Sequence, residues 1–177
     1  MNSKIEIPLS KMKITLLLIG AIIFIVLGIL FILNPQQFTT NLFRSPEIIR
    51  IVGIASVSFF GLCLIFIVKK LFDNKIGLTI DHNGITDNTN ATSVGLIEWE
   101  DITGIEKVQV ASTKILMLQT DKPDKYINRG KSWISKRAMQ ANNNLYGSPL
   151  SIVSNSLKMK FEDLEELIRA EFEKRKK

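Results

Sequence analysis

Four positive charges fall within nine residues, Arg129, Lys131, Lys136 and Arg137, and they surround Trp133. Such a grouping suits an anionic surface, where each lysine or arginine contributes about 1 kcal/mol and tryptophan favours the membrane–water interface. A solvated helix whose Trp133 packs on a sheet would leave the same pattern. A second group, Glu98, Glu100 and Asp101, resembles a carboxylate cluster. Alternation along a strand would put Glu98 and Glu100 on one face and aim Asp101 elsewhere. Asp101 is expected to organise the turn at Asp101-Ile102-Thr103 through side-chain to backbone bonding. His82, the only histidine, precedes Asn83-Gly84 in a turn signal, with no identifiable partner for general-base work. The one cysteine, Cys63, lies in an apolar run, so neither an intramolecular disulfide nor a thiolate metal site can be built. Gly-rich phosphate loops, nucleophile elbows and metalloprotease motifs are absent. The chain is therefore expected to be non-enzymatic, with no catalytic residues, no metal and no cofactor.

The elements that position these residues fall into two regions. The chain has 177 residues and a net charge of +6, with a mean hydropathy of +0.17. Residues 1–75 hold the long apolar runs and eight Lys/Arg against three Asp/Glu, whereas residues 76–177 carry a net charge of only +1. The basic balance thus belongs to the apolar region, and nucleic-acid binding is not expected, because it needs a basic domain face.

Residues 14–33 carry no charge, and as a helix they would cover roughly 30 Å, the hydrocarbon thickness of a bilayer. Asn34-Pro35 ends the run. It is longer than a signal-peptide core and no small-residue cleavage motif follows, so a retained anchor is expected. A second run, 48–68, has Arg50 near its start, within reach of the interface, and Lys69-Lys70 at its end. The short connection forces an antiparallel two-helix hairpin. Gly20, Gly28, Gly53 and Gly61 are the expected helix–helix packing positions, since small residues let backbones approach. Lys4, Lys11 and Lys13 before the first run and Lys69, Lys70 and Lys75 after the second outweigh Arg44 and Arg50. The positive-inside rule then puts both termini in the cytoplasm, and the sequon Asn90-Ala91-Thr92 has no meaning there. Lys69, Lys70 and Lys75 are expected to meet lipid in any case.

After residue 75 the hydrophobic period shortens. Leu78-Thr79-Ile80, His82-Asn83-Gly84 and Ile85-Thr86-Asp87 read as a β-hairpin, followed by strands near 94–99, 102–110 and 113–120. Residues 124–141 have helical spacing interrupted by Gly130, with Asn142-Asn143-Asn144 as the expected stop, and 150–153 reads as a short strand. Phe161, Leu164, Leu167, Ile168 and Phe172 mark a closing amphipathic helix. Acidic residues at its start and the basic run 174–177 suit the helix dipole. Strands first and a helix last imply an α+β fold.

A lysine-flanked hairpin leading into GLTIDHNGITDNT (77–89), VGLIEWEDITGI (94–105), DKPDKYINR (121–129), LYGSPLSI (145–152) and SLKMKFEDLEEL (156–167) resembles a family of uncharacterised bacterial inner-membrane proteins with a pleckstrin-homology-like cytoplasmic domain. The resemblance implies two domains, 1–75 with the transmembrane hairpin and 76–177 as a bent antiparallel sheet. That sheet would carry an inserted helix and a C-terminal capping helix. It further implies a multi-pass protein of the bacterial inner membrane but carries no assigned activity; the function expected from the architecture is that of an anchored binding or adaptor protein. Its partners would be the lipid bilayer and a protein of unknown identity. Arg129, Lys131, Trp133, Lys136 and Arg137 are the candidate contacts for lipid or partner. A protein that neutralises a membrane-targeting toxin (an immunity protein) has a compatible architecture and stands as the alternative.

Overall fold

In the computed structural model, which describes residues 4–39, 45–90 and 92–175, Lys11–Leu33 forms helix α1 and Pro46–Leu71 forms helix α2. Both run past the charge-free stretches because ends that reach polar surroundings tolerate charge. Pro46 opens α2 with Glu47 in its first turn and Lys69 and Lys70 in its last, matching the backbone preference of proline and the helix dipole. Each helix is long and apolar enough to cross a membrane, and only 11% and 6% of their most apolar stretches are buried. A core helix of a soluble domain would bury its apolar side chains; these present Leu16, Ile23, Phe59 and Ile65 outward.

The hairpin packs along Ile14, Ala21 and Gly28 of α1 and Ile49 and Gly53 of α2. A Cβ on Gly53 would sit 2.7 Å from the Gly28 carbonyl oxygen, and one on Gly28 would sit 3.0 Å from that of Gly53. The two backbones are therefore in contact at this crossing. Ser56 Oγ donates to the Phe24 carbonyl at 3.0 Å, and Phe24 stacks on Phe60. Gly20 and Gly61, expected at the same interface, have nothing within 4 Å of an added Cβ. Gly20 lies one residue off the Ile14–Ala21–Gly28 seam, so its turn of about 100° points it away from α2. Lys11 Nζ donates to the carbonyls of Leu71 (2.6 Å) and Asp73 (2.5 Å), covering groups that the end of α2 leaves without intrahelical partners. Arg44, counted in the connecting loop, and Ala91 of the sequon lie outside the described residues, as do Lys176 and Lys177.

Contacts divide the chain into Lys11–Asp73 and a second unit, Met1–Ser10 with Asn74–Lys177. The expected boundary at residue 75 is thus only half of the division, because residues before the hairpin join the sheet domain. Ile5–Ile7 (β1) pairs with Leu78–Ile80 (β2), with Ile5 opposite Ile80 and Ile7 opposite Leu78. Gly84–Asp87 (β3) and Gly95–Glu98 (β4) complete a four-stranded antiparallel sheet in the order β1-β2-β3-β4. Beyond β1, Leu9 bridges Leu157, Ser10 N donates to the Ser156 carbonyl (2.7 Å) and Lys158 N to that of Pro8 (3.0 Å). The apolar side chains Ile7 and Leu9 explain the attachment, since both are buried.

A second antiparallel sheet contains Gly104–Val110 (β5), Thr113–Gln119 (β6) and Leu150–Ile152 (β7). The strand expected from 102 starts two residues later because Trp99–Asp101 forms a 3-10 turn. Between β6 and β7 the expected single helix is two, Pro123–Asn128 (α3) and Trp133–Tyr146 (α4). Ser132 starts α4 by accepting a hydrogen bond from Ser135 N at 3.1 Å. The three asparagines 142–144 do not stop it; the helix ends where Gly147 adopts φ 75°, a conformation that favours glycine. The closing helix Phe161–Arg175 (α5) buries Phe161, Leu164 and Ile168, with Leu167 and Phe172 half-buried. It spans both sheets. Lys107 of β5 meets Glu165 at 2.9 Å and Arg169 Nη1 donates to the Ile105 carbonyl at 3.0 Å. At its far end the Arg175 guanidinium lies 4.6 Å over the Trp99 ring.

Candidate functional site

The 3-10 turn after β4 rotates Asp101 inward until it is fully buried. It does not serve its own turn, as the sequence suggested. Lys122 Nζ donates to Asp101 Oδ1 at 2.6 Å, Lys125 Nζ donates to Oδ2, and the Tyr126 hydroxyl lies 2.7 Å from Oδ2. Tyr126 is also 2.7 Å from Glu98 Oε2 and accepts from Glu98 N at 3.2 Å. Its single hydroxyl proton serves one carboxylate at a time, so the two carboxylates share it. Arg129 completes the group, donating through Nη2 to Glu98 Oε1 (3.0 Å) and through Nη1 to the Leu96 carbonyl (2.7 Å). Its guanidinium also lies 5.0 Å from the Tyr126 ring centre.

Two carboxylates thus meet three cations and one phenol. The Arg129 hydrogen bond, opposed by burial and helped by Tyr126, pulls the Glu98 carboxyl down from 4.5 to about 2. Burial alone would raise Asp101, but hydrogen bonds from Lys122, Lys125 and Tyr126 together outweigh it and hold this carboxyl well below its usual range. Burial first, then the two carboxylates, pushes Tyr126 far up. A general acid or base works best with a pKa near the operating pH, and these groups move away from it. Among the described residues no buried side-chain polar atom lacks a partner. The cluster fastens α3 to the end of β4. Sequence reasoning missed it, although Lys122, Lys125, Tyr126 and Arg129 recur at helical spacing. Glu98 and Glu100 are not neighbours on one strand face, because β4 ends at Glu98.

Arg129 is therefore committed internally, and the basic patch read around Trp133 reduces to Lys131, Lys136 and Arg137. None of the three forms an ion pair among the described residues, and all are exposed. From Lys125 to Phe161 the chain contains seven Lys/Arg and no Asp or Glu. Helix α4 buries only Ser135 and Met139. Trp133 is 74% exposed, Leu145 72% and Ile134 48%, so Trp133 does not pack on a sheet. Trp133, Arg137, Gln140 and Asn144 follow at intervals of four, three and four and share one face. That face borders a shallow open hollow of about 570 Å³ that Ile127 floors and Lys136 flanks.

The other expected site residues are dispersed. Lys69 and Lys70 occupy the last turn of α2, where Lys70 pairs with Asp73 at 3.1 Å, and Lys75 is exposed ahead of β2. His82 is exposed on the rim of an open cleft beside Trp99, Glu100 and Arg175. Cys63 is half-buried within α2. Among the described residues no group of three His, Cys, Asp or Glu side chains is placed to hold a metal.

These features define an α+β protein with two helices able to span a membrane, followed by antiparallel sheets and a C-terminal helix. No protein-family model, curated protein or solved structure matches the chain.

Proposed function

We propose that this chain is a non-enzymatic, membrane-anchored recognition module of the bacterial inner membrane, holding a pleckstrin-homology-like domain at the cytoplasmic surface. The observation that carries the reading is the position of the hairpin, which is inserted between two paired strands. β1 precedes α1 and β2 follows α2, yet the two are hydrogen-bonded neighbours. Strands that pair must lie on the same side of a bilayer. The chain between them therefore crosses an even number of times, and α1 and α2 supply two crossings. Cleavage after α1 would discard β1, which supports a retained anchor.

Flanking lysines on both ends favour the cytoplasmic side. A four-stranded and a three-stranded antiparallel sheet, joined by a closing helix, support the pleckstrin-homology-like assignment and the resemblance to the inner-membrane family. The Glu98–Asp101–Tyr126 cluster supports recognition over catalysis, since its groups are engaged in holding the fold. A domain tethered at a surface meets partners there at high effective concentration, so weak contacts suffice.

The test is cysteine labelling in intact cells and in inverted vesicles, in a Cys63→Ala background. Cysteines at Glu6, Asn88 and Gln37 report β1, the sheet domain and the hairpin loop. Positions 6 and 88 should react only in inverted vesicles and position 37 only in intact cells, with the protein resisting alkaline carbonate extraction. Labelling of 6 and 88 from opposite sides, or from outside, overturns the reading.

A further inference from the structure

We propose that the outer face of α4 is a docking surface for anionic phospholipid, with Trp133 as its interfacial anchor and Lys131, Lys136 and Arg137 as its phosphate contacts. The proposal deepens the membrane-module reading and rests on it, because the lipid in question belongs to the bilayer that holds α1 and α2.

Helix α4 is set apart by how little of it the fold uses. Its buried stripe is Ser135 and Met139; Trp133 is exposed on the face it shares with Arg137, Gln140 and Asn144, and Ile134 and Leu145 are exposed about a third of a turn around the helix. Exposed large apolar residues gathered on one helix point to an occupant. Charge selects which one. The 37-residue stretch from Lys125 to Phe161 has no carboxylate, so an acidic partner meets no repulsion from its own segment. Of the five cations in that stretch that the Asp101 cluster leaves unclaimed, Lys131, Lys136 and Arg137 flank Trp133, whereas Lys158 and Lys160 lie beyond β7.

An exposed tryptophan flanked by lysine and arginine, with further exposed apolar residues on the same helix, is the composition of an interfacial helix. A phosphodiester headgroup satisfies lysine and arginine, and the acyl boundary receives the ring. Each cation near an anionic leaflet strengthens partitioning by about fivefold, and three together by about a hundredfold. α4 is short and only moderately apolar, so its attachment is reversible and falls with salt.

The full chain, carrying Cys63→Ala and Gln140→Cys labelled with an environment-sensitive fluorophore, is reconstituted in nanodiscs. One set contains phosphatidylcholine alone, and another contains phosphatidylcholine with phosphatidylglycerol. The expected result is a blue shift and quenching by nitroxide-labelled lipid in the phosphatidylglycerol discs only. Both should be reversed by 0.5 M salt (about a 4 Å screening length) and abolished by Lys131→Gln, Lys136→Gln and Arg137→Gln together. Trp133→Ser should weaken both effects without changing the salt dependence. A second probe at His82→Cys should not respond.

These substitutions are at exposed positions, and unchanged near-ultraviolet circular dichroism confirms that each variant is folded. Equal signals in both disc types, or signals that survive the triple substitution, overturn the proposal. A probe that stays aqueous in phosphatidylglycerol discs but is shielded in native membranes indicates a protein occupant and also overturns it. Failure here with the labelling pattern at positions 6, 88 and 37 intact removes lipid docking alone. Failure of that pattern removes the anchored module.

Discussion

Ile7 and Leu78 face each other across an antiparallel strand pair although both apolar helices lie between them in the chain. The sheet domain is therefore discontinuous in sequence, and its edge strand is supplied from before the hairpin. Residues 76–177 alone should not fold, because removal of β1 exposes the Leu78 and Leu157 surroundings that Ile7 and Leu9 cover. Replacing residues 11–73 with a short glycine-rich turn should give a soluble, folded, monomeric protein, since neighbouring antiparallel strands need only a few connecting residues. Circular dichroism and size-exclusion chromatography of the two proteins check this. A well-folded 76–177 fragment would contradict it.

The Tyr126 hydroxyl joins α3 to β4 through two carboxylates. Tyr126→Phe should cost about 1–3 kcal/mol, the penalty for leaving buried polar groups short of a partner. Asp101→Ala should also destabilise, because it removes the buried acceptor that ties Lys122, Lys125 and Tyr126 to the turn after β4, although the two lysines are exposed enough to be taken up by water. Urea unfolding of the hairpin-deleted protein measures both. A neutral Tyr126→Phe would mean that water replaces the hydroxyl without loss.

Acid should loosen the same cluster. The folded Glu98 carboxyl titrates at about 2 and its ordinary value is 4.5, while Asp101 is likewise depressed. The unfolded chain thus takes up protons at a higher pH than the folded one does. Stabilisation is complete above pH 4.5 and is lost as the pH falls from there through about 2. Glu162, Glu165 and Glu171, held low first by hydrogen bonds from Lys114, Lys107 and Lys174, act in the same sense. Thermal midpoints of the hairpin-deleted protein should drop across this range, and less steeply in Glu98→Gln. An identical slope in that variant would assign the effect elsewhere.

The close crossing at Gly28 and Gly53 should be sensitive to a single side chain. Gly53→Ile places carbon against a backbone oxygen and should push the helices apart, at about 1–3 kcal/mol for overpacking. Gly61→Ile, which meets open space, should be tolerated. Cross-linking between cysteines at Phe24 and Phe60, in a Cys63→Ala background, reads the separation. Equal yields in the two glycine variants would refute the crossing.

Features with a local signature were readable in advance. Residues 14–33 announce a long apolar helix because no charge interrupts them. The hairpin at His82-Asn83-Gly84 forms as its turn residues dictate, with Asp81 N donating to the Gly84 carbonyl at 3.1 Å and Asp81 Oδ1 accepting from Asn83 N. The apolar stripe of α5 needed only its own spacing. What stayed hidden depends on distant partners. Ile5–Ile7 is three residues long and sits before a lysine-rich flank, so it carries no periodic signal. Asp101 reads as a turn former until Lys122, Lys125 and Tyr126 are brought to it. The face of α4 was partly visible as a basic cluster around Trp133, but the loss of Arg129 to Glu98 could not be read from spacing.

The split sheet has a further consequence during synthesis. On the proposed membrane-anchored reading, Ile5–Ile7 is synthesised before both helices and stays unpaired until Leu78–Ile80 follows them. Only a nascent chain whose spans return it to the starting side can bring Leu78 to Ile7. One that inserts with a single crossing strands its first segment across the membrane, with a sheet edge open to proteases and aggregation. In the proposed topology, closing the sheet would thus discriminate against single crossings, whereas a hairpin inserted in the inverted sense would still bring Ile7 and Leu78 to one side.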